Sequence, residues 1–270
     1  MLATELLVAR GHRVLAGIRG GEPRLKTLFS PELIQTGRLH AVDLHMDRSE
    51  GFSAAHLQIQ RDFGGKLDVL INNAGHALMG PLETQSPAQL RNQMEVNFFG
   101  PALLTRELLP CLRAAKGRII NVSSIAGMVS FPFYGSYNAS KHALEGLTEA
   151  LAYELKPFGI QVGLIEPGGF KTRFVEASQY GESGQDPASP YFKRIEAFSR
   201  AIRKKNERLA GNPAQVARLI VRLAECSRVP IRNIIGIDAR FMAWMRRLLP
   251  ERWRVALCEW VFKKGVFRES

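Results

Sequence analysis

Cysteine is scarce in this chain, with three residues that stand far apart at Cys111, Cys226 and Cys258. Their odd number and wide spacing fit neither a disulfide framework nor a zinc site, so ordinary thiols in a reducing compartment are expected. No run of 18 or more apolar residues occurs, which argues against a membrane-spanning helix. The first ten residues include Glu5 and do not resemble a signal peptide. A cytoplasmic protein is therefore expected.

Acidic residues are also few, because 25 Asp and Glu face 37 Lys and Arg, for a formal charge of +12. Such a balance fits nucleic acid, an anionic membrane surface, or a solvated basic surface. The basic residues become denser after residue 190, yet no recognised nucleic-acid signature accompanies them. We therefore expect a solvated basic surface and no nucleic-acid partner.

Apolar residues make up 46% of the 270 residues, enough for one well-buried domain. Short apolar runs alternate with longer helical patterns. The predicted strands are 13–17, 39–42, 67–71, 118–122 and 161–165, and the longest predicted helices are 87–112 and 136–155. Nearly continuous apolar strands are typical of a sheet covered on both faces. The sequence thus predicts, over residues 1–237, an α/β domain with a doubly wound, Rossmann-like parallel sheet.

Three residues at fixed spacing carry the chemistry, namely Ser124, Tyr137 and Lys141. A tyrosine and a lysine four residues apart share one helix face, where the ammonium should lower the phenol pKa from its usual value of about 10. Such a tyrosine can act as general acid or base toward an alcohol oxygen. Ser124, at the end of a predicted strand, can hydrogen-bond the same oxygen. Beside a nicotinamide, this set would interconvert a carbonyl and an alcohol.

These residues belong to a longer ordered series of motifs. The series is Asn72-Asn73-Ala74-Gly75, Asn97, Asn121-Val122-Ser123-Ser124, Tyr137 with Lys141, and Pro167-Gly168-Gly169-Phe170-Lys171-Thr172. In order and spacing it resembles the short-chain dehydrogenase/reductase family over about residues 11–175. The tail is similar to those of members that handle retinoids and hydroxysteroids, which implies a lipophilic alcohol or ketone as substrate.

The resemblance implies a role for each matching residue. Ser124, thirteen residues before Tyr137, matches the catalytic serine. Asn97 matches the asparagine that holds a water in a proton relay, and Lys141 would also bind the nicotinamide ribose. Further cofactor contacts are implied for Asp43 and Leu44 at the adenine, Asn73, Ala74 and Gly75 along the adenosine, and Pro167, Gly168 and Thr172 at the nicotinamide. A homo-oligomer through the helices of Asn97 and Tyr137 is implied as well.

The choice of cofactor is expected to depend on the end of strand 13–17. Members that prefer NAD usually carry an acidic residue there. This chain has Arg19 and no acid at that point. A guanidinium suits a 2′-phosphate, so NADP is predicted over NAD. A solvated loop role for Arg19 is the alternative.

A glycine-rich turn, which the family places between its first strand and first helix, is lacking before Thr4. Gly17, Gly20 and Gly21 follow the strand that matches the family's second, so they cannot replace this turn. Two explanations are open. Either the first strand and its turn lie upstream of an N-terminally truncated reading, or the protein is a cofactor-free relic that acts as a binding or regulatory protein.

The last part of the chain, 238–270, is predicted to be a basic amphipathic helical tail. Phe241, Trp244, Met245 and Leu248 form an apolar stripe beside arginines. The stripe could pack on the domain or cover a pocket, contact a second subunit, or lie peripherally in a membrane interface. A substrate loop is expected over about 170–211, where several aromatic residues occur.

Overall fold

The computed structural model describes residues 1–172, 174 and 178–265, with the side chains of 205–209, 258 and 261–265 outside the description. The strands are Val14–Ile18 (β1), Leu39–Asp43 (β2), Val69–Asn72 (β3), Leu78–Met79 (β4), Arg118–Val122 (β5), Gln161–Pro167 (β6), Gln179–Tyr180 (β7) and Arg232–Ile235 (β8). The α-helices are Leu2–Ala9 (α1), Gly21–Leu28 (α2), Pro31–Gln35 (α3), Glu50–Asp62 (α4), Pro87–Met94 (α5), Gly100–Ala115 (α6), Gly135–Glu154 (α7), Phe192–Leu209 (α8), Ala214–Glu225 (α9), Ile237–Leu248 (α10) and Glu251–Gly265 (α11).

All pairings between these strands are parallel, in the order β3-β5-β6-β8 in one sheet and β1-β2 in another, with a short β4-β7 pair beside them. The predicted α/β fold with parallel strands is confirmed. The sequence missed β8, because Arg232 and Asn233 break its apolar run. The buried Asn233 is accommodated in the strand because its side-chain amide donates to the Leu164 carbonyl at 2.9 Å.

The parallel strands are divided between β1 and β3 into two sheets. Within the part of the chain that the structure describes, these two strands do not pair. A cavity of about 2340 Å³ lies between them, lined by residues of both strands. No glycine-rich turn precedes α1 among the described residues, because α1 begins at Leu2. The expectation of an upstream strand and turn stays a prediction.

Helices cover the sheets on both sides. On one side α4 and α6 bury Phe52, Ile59, Leu104 and Leu108 against the sheet. On the other side α9 buries residues such as Ile220 against β5 and β6. Helix α1 packs against α9, and their ends are joined by Arg10 and His12 at Glu225. This layering places the carboxyl ends of the parallel strands along one edge of the cavity.

Two predicted segments have a different form in the structure. The helix predicted over 87–112 is interrupted by a wide π-helical turn at Glu95–Phe99, which lies between α5 and α6. The loop expected over 170–211 contains β7 and α8, and its residues 173 and 175–177 lie outside the described residues. Helix α8 forms because Ile195, Phe198 and Ile202 recur at helical spacing.

Two further expectations concern thiols and membranes. Cys111 and Cys226 are free, as predicted, whereas the Cys258 side chain lies outside the description. Among the described helices, none is both long enough and apolar enough to cross a membrane.

Candidate active site

Helix α7 and strand β5 bring the three predicted catalytic side chains together. Tyr137 and Lys141 lie one turn apart near the start of α7, and both are buried. Ser124 follows β5 at its carboxyl end, where its hydroxyl accepts the Ala126 amide at 3.2 Å, and its side chain lines the same cavity as that of Tyr137. The Lys141 ammonium donates to the Val122 carbonyl at 2.9 Å and lies 5.9 Å from the centre of the Tyr137 ring.

Asn97 lies directly behind this set, in the wide turn between α5 and α6. Its amide donates to the His76 carbonyl at 2.9 Å and to the Ser140 hydroxyl at 3.0 Å, and its carbonyl accepts the His76 amide at 3.1 Å. A Cβ at Gly75 would lie 3.1 Å from Asn97 Oδ1 and 3.6 Å from Lys141 Nζ. Gly75 therefore lets the backbone approach both side chains closely. The π-helical turn is what directs Asn97 inward.

The pKa values differ from the expectation. Burial raises the pKa of Tyr137 to about 12, although its hydrogen bond with Ser124 offsets part of the rise. Burial lowers the pKa of Lys141 to about 8, and the charge of Glu145 partly opposes that change. The prediction that Lys141 lowers the pKa of Tyr137 is wrong for this structure, since desolvation of the phenol dominates. At neutral pH the buried Tyr137 thus holds its proton.

A buried charged network supports the serine strand and α7. Ser123 donates to Glu145 Oε1 at 2.8 Å, and Arg232 on β8 donates to Glu145 Oε2 at 3.0 Å. Arg232 also binds Glu166 on β6 and Glu149 on α7. Burial, with the Glu145 charge, raises the pKa of Glu166 to about 7. Three carboxylates therefore share one guanidinium, and one of them also binds Ser123, next to Ser124 in the chain.

Sequence reasoning did not find this network. Glu145 lies four residues after Lys141, at helical spacing on the same face of α7, and this was the available signal. Arg232 gives no such signal, because its strand was not predicted. A Cβ at Gly127 would overlap Glu145 Oε1 and the Ser123 hydroxyl, so glycine there makes room for the network.

The predicted catalytic and cofactor residues gather around one cavity, with two exceptions. Those that line it are Arg19, Leu44, Asn73, Ala74, Gly75, Tyr137, Lys141, Pro167, Gly168 and Thr172, together with Ser124. Asn97 does not line it, because it lies behind Gly75. Asp43 does not line it either, because its carboxylate accepts the Gly20 amide at 2.8 Å in the turn after β1. The structure thus uses Asp43 to hold this turn.

The segment after β6 is held by a residue that the sequence did not single out. The Asp238 carboxylate, at the start of α10, accepts the Gly169 amide at 2.9 Å. A Cβ at Gly168 would overlap that carboxylate, which explains why glycine is needed there. Gly168 also donates to the Ile235 carbonyl at 2.9 Å. Asp238 therefore fixes the backbone predicted to contact the nicotinamide.

Aromatic side chains form the cavity wall beside Tyr137. The Tyr137 ring lies 5.9 Å from that of Tyr134 and 5.6 Å from that of Phe174, measured between ring centres. Tyr134 in turn lies 5.6 Å from Phe198, on α8. The cavity beside Tyr137 therefore has an aromatic wall, which suits a hydrocarbon group.

The described residues fit the nicotinamide and ribose half of a dinucleotide. Lys141 supplies a cation, Gly75 and Gly168 line the cavity, and Arg19 lies at its other side. The Arg19 side chain is 62% exposed and lies 3.7 Å from the Asp47 carboxylate. Among the described residues, no three metal-ligating side chains lie close enough together to hold an ion.

Fold and site together define an α/β protein of the doubly wound type, with a serine, tyrosine and lysine at the carboxyl ends of its strands. A family model described as short chain dehydrogenase matches residues 2–182. The chain belongs to the short-chain dehydrogenase family, whose members are oxidoreductases that act on CH–OH groups with NAD(P).

Curated relatives support this assignment. The chain is 38% identical over 190 residues to a 3-ketodihydrosphingosine reductase of Bacteroides thetaiotaomicron. The aligned residues cover 67% of this chain and 69% of the relative. It is 34% identical over 234 residues to human retinol dehydrogenase 8, covering 84% of this chain and 73% of the relative.

Solved structures agree. A short-chain dehydrogenase from Streptomyces avermitilis is 31% identical, with a TM-score of 0.77, over 96% of this chain and 91% of that one. A short-chain dehydrogenase from Burkholderia cenocepacia in complex with NADP is 26% identical, with a TM-score of 0.69, over 94% and 89%.

Proposed function

We propose that this protein is an NADP-dependent oxidoreductase that interconverts a lipophilic alcohol and its ketone or aldehyde. The observation that carries the proposal is that Ser124, Tyr137 and Lys141 line one cavity, beside an aromatic cluster that includes Tyr137. Tyr137 keeps its proton at neutral pH, as a general acid must before a carbonyl is reduced.

In carbonyl reduction, Ser124 donates a hydrogen bond to the substrate oxygen. Tyr137 then transfers its hydroxyl proton to that oxygen as it becomes an alcohol. A nicotinamide bound in the cavity would supply the hydride to the carbonyl carbon, or accept it in the reverse direction. Lys141 stabilises the developing tyrosinate, and Asn97 holds the relay that returns a proton to it. Oxidation of the alcohol follows the same steps in reverse.

The preference for NADP rests on Arg19. Its guanidinium follows β1, is mostly exposed and borders the cavity, so it can reach a 2′-phosphate. The Asp47 carboxylate lies 3.7 Å from the Arg19 guanidinium, and this solvated ion pair is weak enough for a phosphate to replace it. NAD remains the alternative cofactor.

The preference for a lipophilic substrate rests on the ring cluster around Tyr137. Tyr134 and Phe174 pack against the Tyr137 ring, and Phe198 packs against Tyr134. Two relatives are named for 3-ketodihydrosphingosine and retinol, which are hydrocarbon-rich molecules. No role for nucleic acid is proposed.

Assembly and location are also carried over as proposals. The family resemblance implies a homo-oligomer that forms through α5, α6 and α7, which sedimentation velocity would test. The cytoplasmic location expected from the sequence stays a prediction.

The decisive experiment compares Tyr137→Phe with Tyr153→Phe in NADPH-dependent reduction of lipophilic ketones and aldehydes. Both residues lie on α7, but Tyr153 is 74% exposed. Tyr137→Phe should lower kcat about 10²- to 10⁴-fold, the usual contribution of a general acid. NADPH binding, followed by fluorescence titration with NADH as control, should be nearly unchanged, and Tyr153→Phe should keep full activity.

A Tyr137→Phe variant that retains most of its activity would contradict the mechanism. If the unaltered protein neither binds NADPH or NADH nor turns over any substrate, the cofactor-free binding or regulatory role becomes the better interpretation.

A further inference from the structure

Helix α10 presents an apolar stripe to solvent. Ile237, Phe241, Trp244 and Leu248 are 90%, 54%, 57% and 57% exposed, respectively. Their spacing of four, three and four residues places them within an arc of roughly 60° on a helix of 3.6 residues per turn. Phe241 and Trp244 stack with ring centres 6.2 Å apart. Another side of α10 is occupied, because Ala239 and Met245 are buried against the domain. The exposed stripe is therefore additional to the contacts that hold the helix.

Arginines border this stripe. Arg240 and Arg247 are exposed and lie seven residues apart, so both flank the same edge of the stripe. Neither of them forms an ion pair within the part of the chain whose side chains are described. The next helix, α11, adds exposed Trp253 with Arg252 placed 5.9 Å from its ring. An apolar stripe with tryptophans and flanking arginines is the composition of a helix that lies in a membrane interface.

The stripe also adjoins the cavity. Phe241, a member of the exposed stripe, also lines the cavity. Met242 and Met245 of the same helix line the cavity as well. A surface that contacts the stripe would therefore lie beside the cavity that Tyr137 lines.

We propose that α10, with its stripe Ile237, Phe241, Trp244 and Leu248, docks this protein on bilayers that contain anionic lipids. The rings and aliphatic side chains enter the interface, and Arg240 and Arg247 contact the lipid phosphates. This docking does not depend on the identity of the substrate or on turnover.

Charge favours a lipid surface over a second copy of the chain. In a symmetric dimer through α10, the same patch would meet itself, so Arg240 and Arg247 would approach their own counterparts. The chain as a whole carries +12, which adds to this repulsion. An anionic bilayer supplies the opposite charge and an apolar layer together.

The test is cosedimentation of the full-length protein with two kinds of vesicle. One kind contains phosphatidylcholine alone, and the other also contains about 30% phosphatidylserine, which gives its surface a strong negative charge. We expect binding to the mixed vesicles and at least tenfold weaker binding to phosphatidylcholine. Trp244→Ser with Leu248→Ser should weaken binding at least tenfold. Arg240→Gln with Arg247→Gln should weaken it roughly 30-fold, at about one kcal/mol for each cation near the surface.

The matched control is Leu57→Ser with Phe158→Ser, which removes exposed apolar side chains far from α10 in the sequence and should leave binding unchanged. Circular dichroism checks that every variant folds, and none of the six substituted residues lines the cavity. Equal binding to both kinds of vesicle, or binding that survives both α10 variants, would overturn the proposal. The proposal would also be overturned if the unaltered protein did not bind vesicles and the Trp244 and Leu248 variant changed from dimer to monomer. A second copy of the chain would then cover the stripe.

Discussion

The cavity has two walls that differ in how firmly they are held. On one wall, strand pairing joins β5 to β6, and side-chain hydrogen bonds join β5 to α7. On the other wall β1 pairs with β2 but, among the described residues, with no strand of the larger sheet. The first wall carries Ser124, Tyr137 and Lys141, whose geometry must be fixed before any ligand arrives. The second carries Arg19, whose side chain is 62% exposed and is proposed to contact the cofactor. Chemistry and cofactor selectivity are thus assigned to parts of the molecule with different degrees of constraint.

The largest effect is expected from breaking the charged network of the first wall. Arg232→Met would leave Glu145, Glu149 and Glu166 without their shared cation. We expect a loss of about 2–4 kcal/mol in the free energy of unfolding, somewhat less than for a fully buried pair because Arg232 is itself about a third exposed. Urea denaturation measures it.

The same variant should show a pH dependence of defined sign. Below about pH 7 the Glu166 carboxyl is protonated, which removes one of the unpaired charges, so the loss should be smaller at pH 6 than at pH 8. Arg10→Met, which breaks an exposed pair with Glu225, is the control and should cost at most about 1 kcal/mol. If both variants lost the same free energy of unfolding, the charged network would not make the first wall more stable than an exposed ion pair does.

A second prediction concerns the pH dependence of carbonyl reduction. Lys141 must be charged to stabilise tyrosinate, and burial places its pKa at about 8. The rate of reduction at saturating substrate should therefore be constant below about pH 8 and fall above it, about tenfold for each further pH unit. Lys141→Arg, which stays charged, should abolish this fall even if its rate is lower. A fall that persists unchanged in Lys141→Arg would assign it to another group.

The smallest effect is expected on the second wall. Arg19→Gln removes the cation proposed for the 2′-phosphate, so the ratio of kcat/KM for NADPH to that for NADH should decrease about tenfold, the lower end for a charged hydrogen bond at an exposed site. Stability should hardly change, in contrast to Arg232→Met. Arg24→Gln, on α2 and outside the cavity lining, is the matched control. An unaltered ratio would return Arg19 to the role of a solvated loop residue.

Sequence reasoning found those features that depend on local pattern. Five strands were predicted because each is an apolar run, and Ser124, Tyr137 and Lys141 were found because helix and strand geometry bring such spacing together. Long-range partners were missed. Asp238 contacts Gly169 across 69 residues, and Arg232 reaches Glu145 across 87, so neither contact leaves a local signal. The pKa of Tyr137 was predicted in the wrong direction because burial is a property of the whole fold.

The wide turn at Glu95–Phe99 constrains which lengths of chain this site tolerates. A π-helical turn holds one more residue than an α-helical turn, so α5 and α6 are out of phase by about 100° relative to one continuous helix. Removing a single residue from the turn would restore a regular helix and rotate one half against the other by that angle. Either Asn97 would leave His76, or the buried face of α6 would turn toward solvent. The segment should therefore tolerate no single-residue deletion.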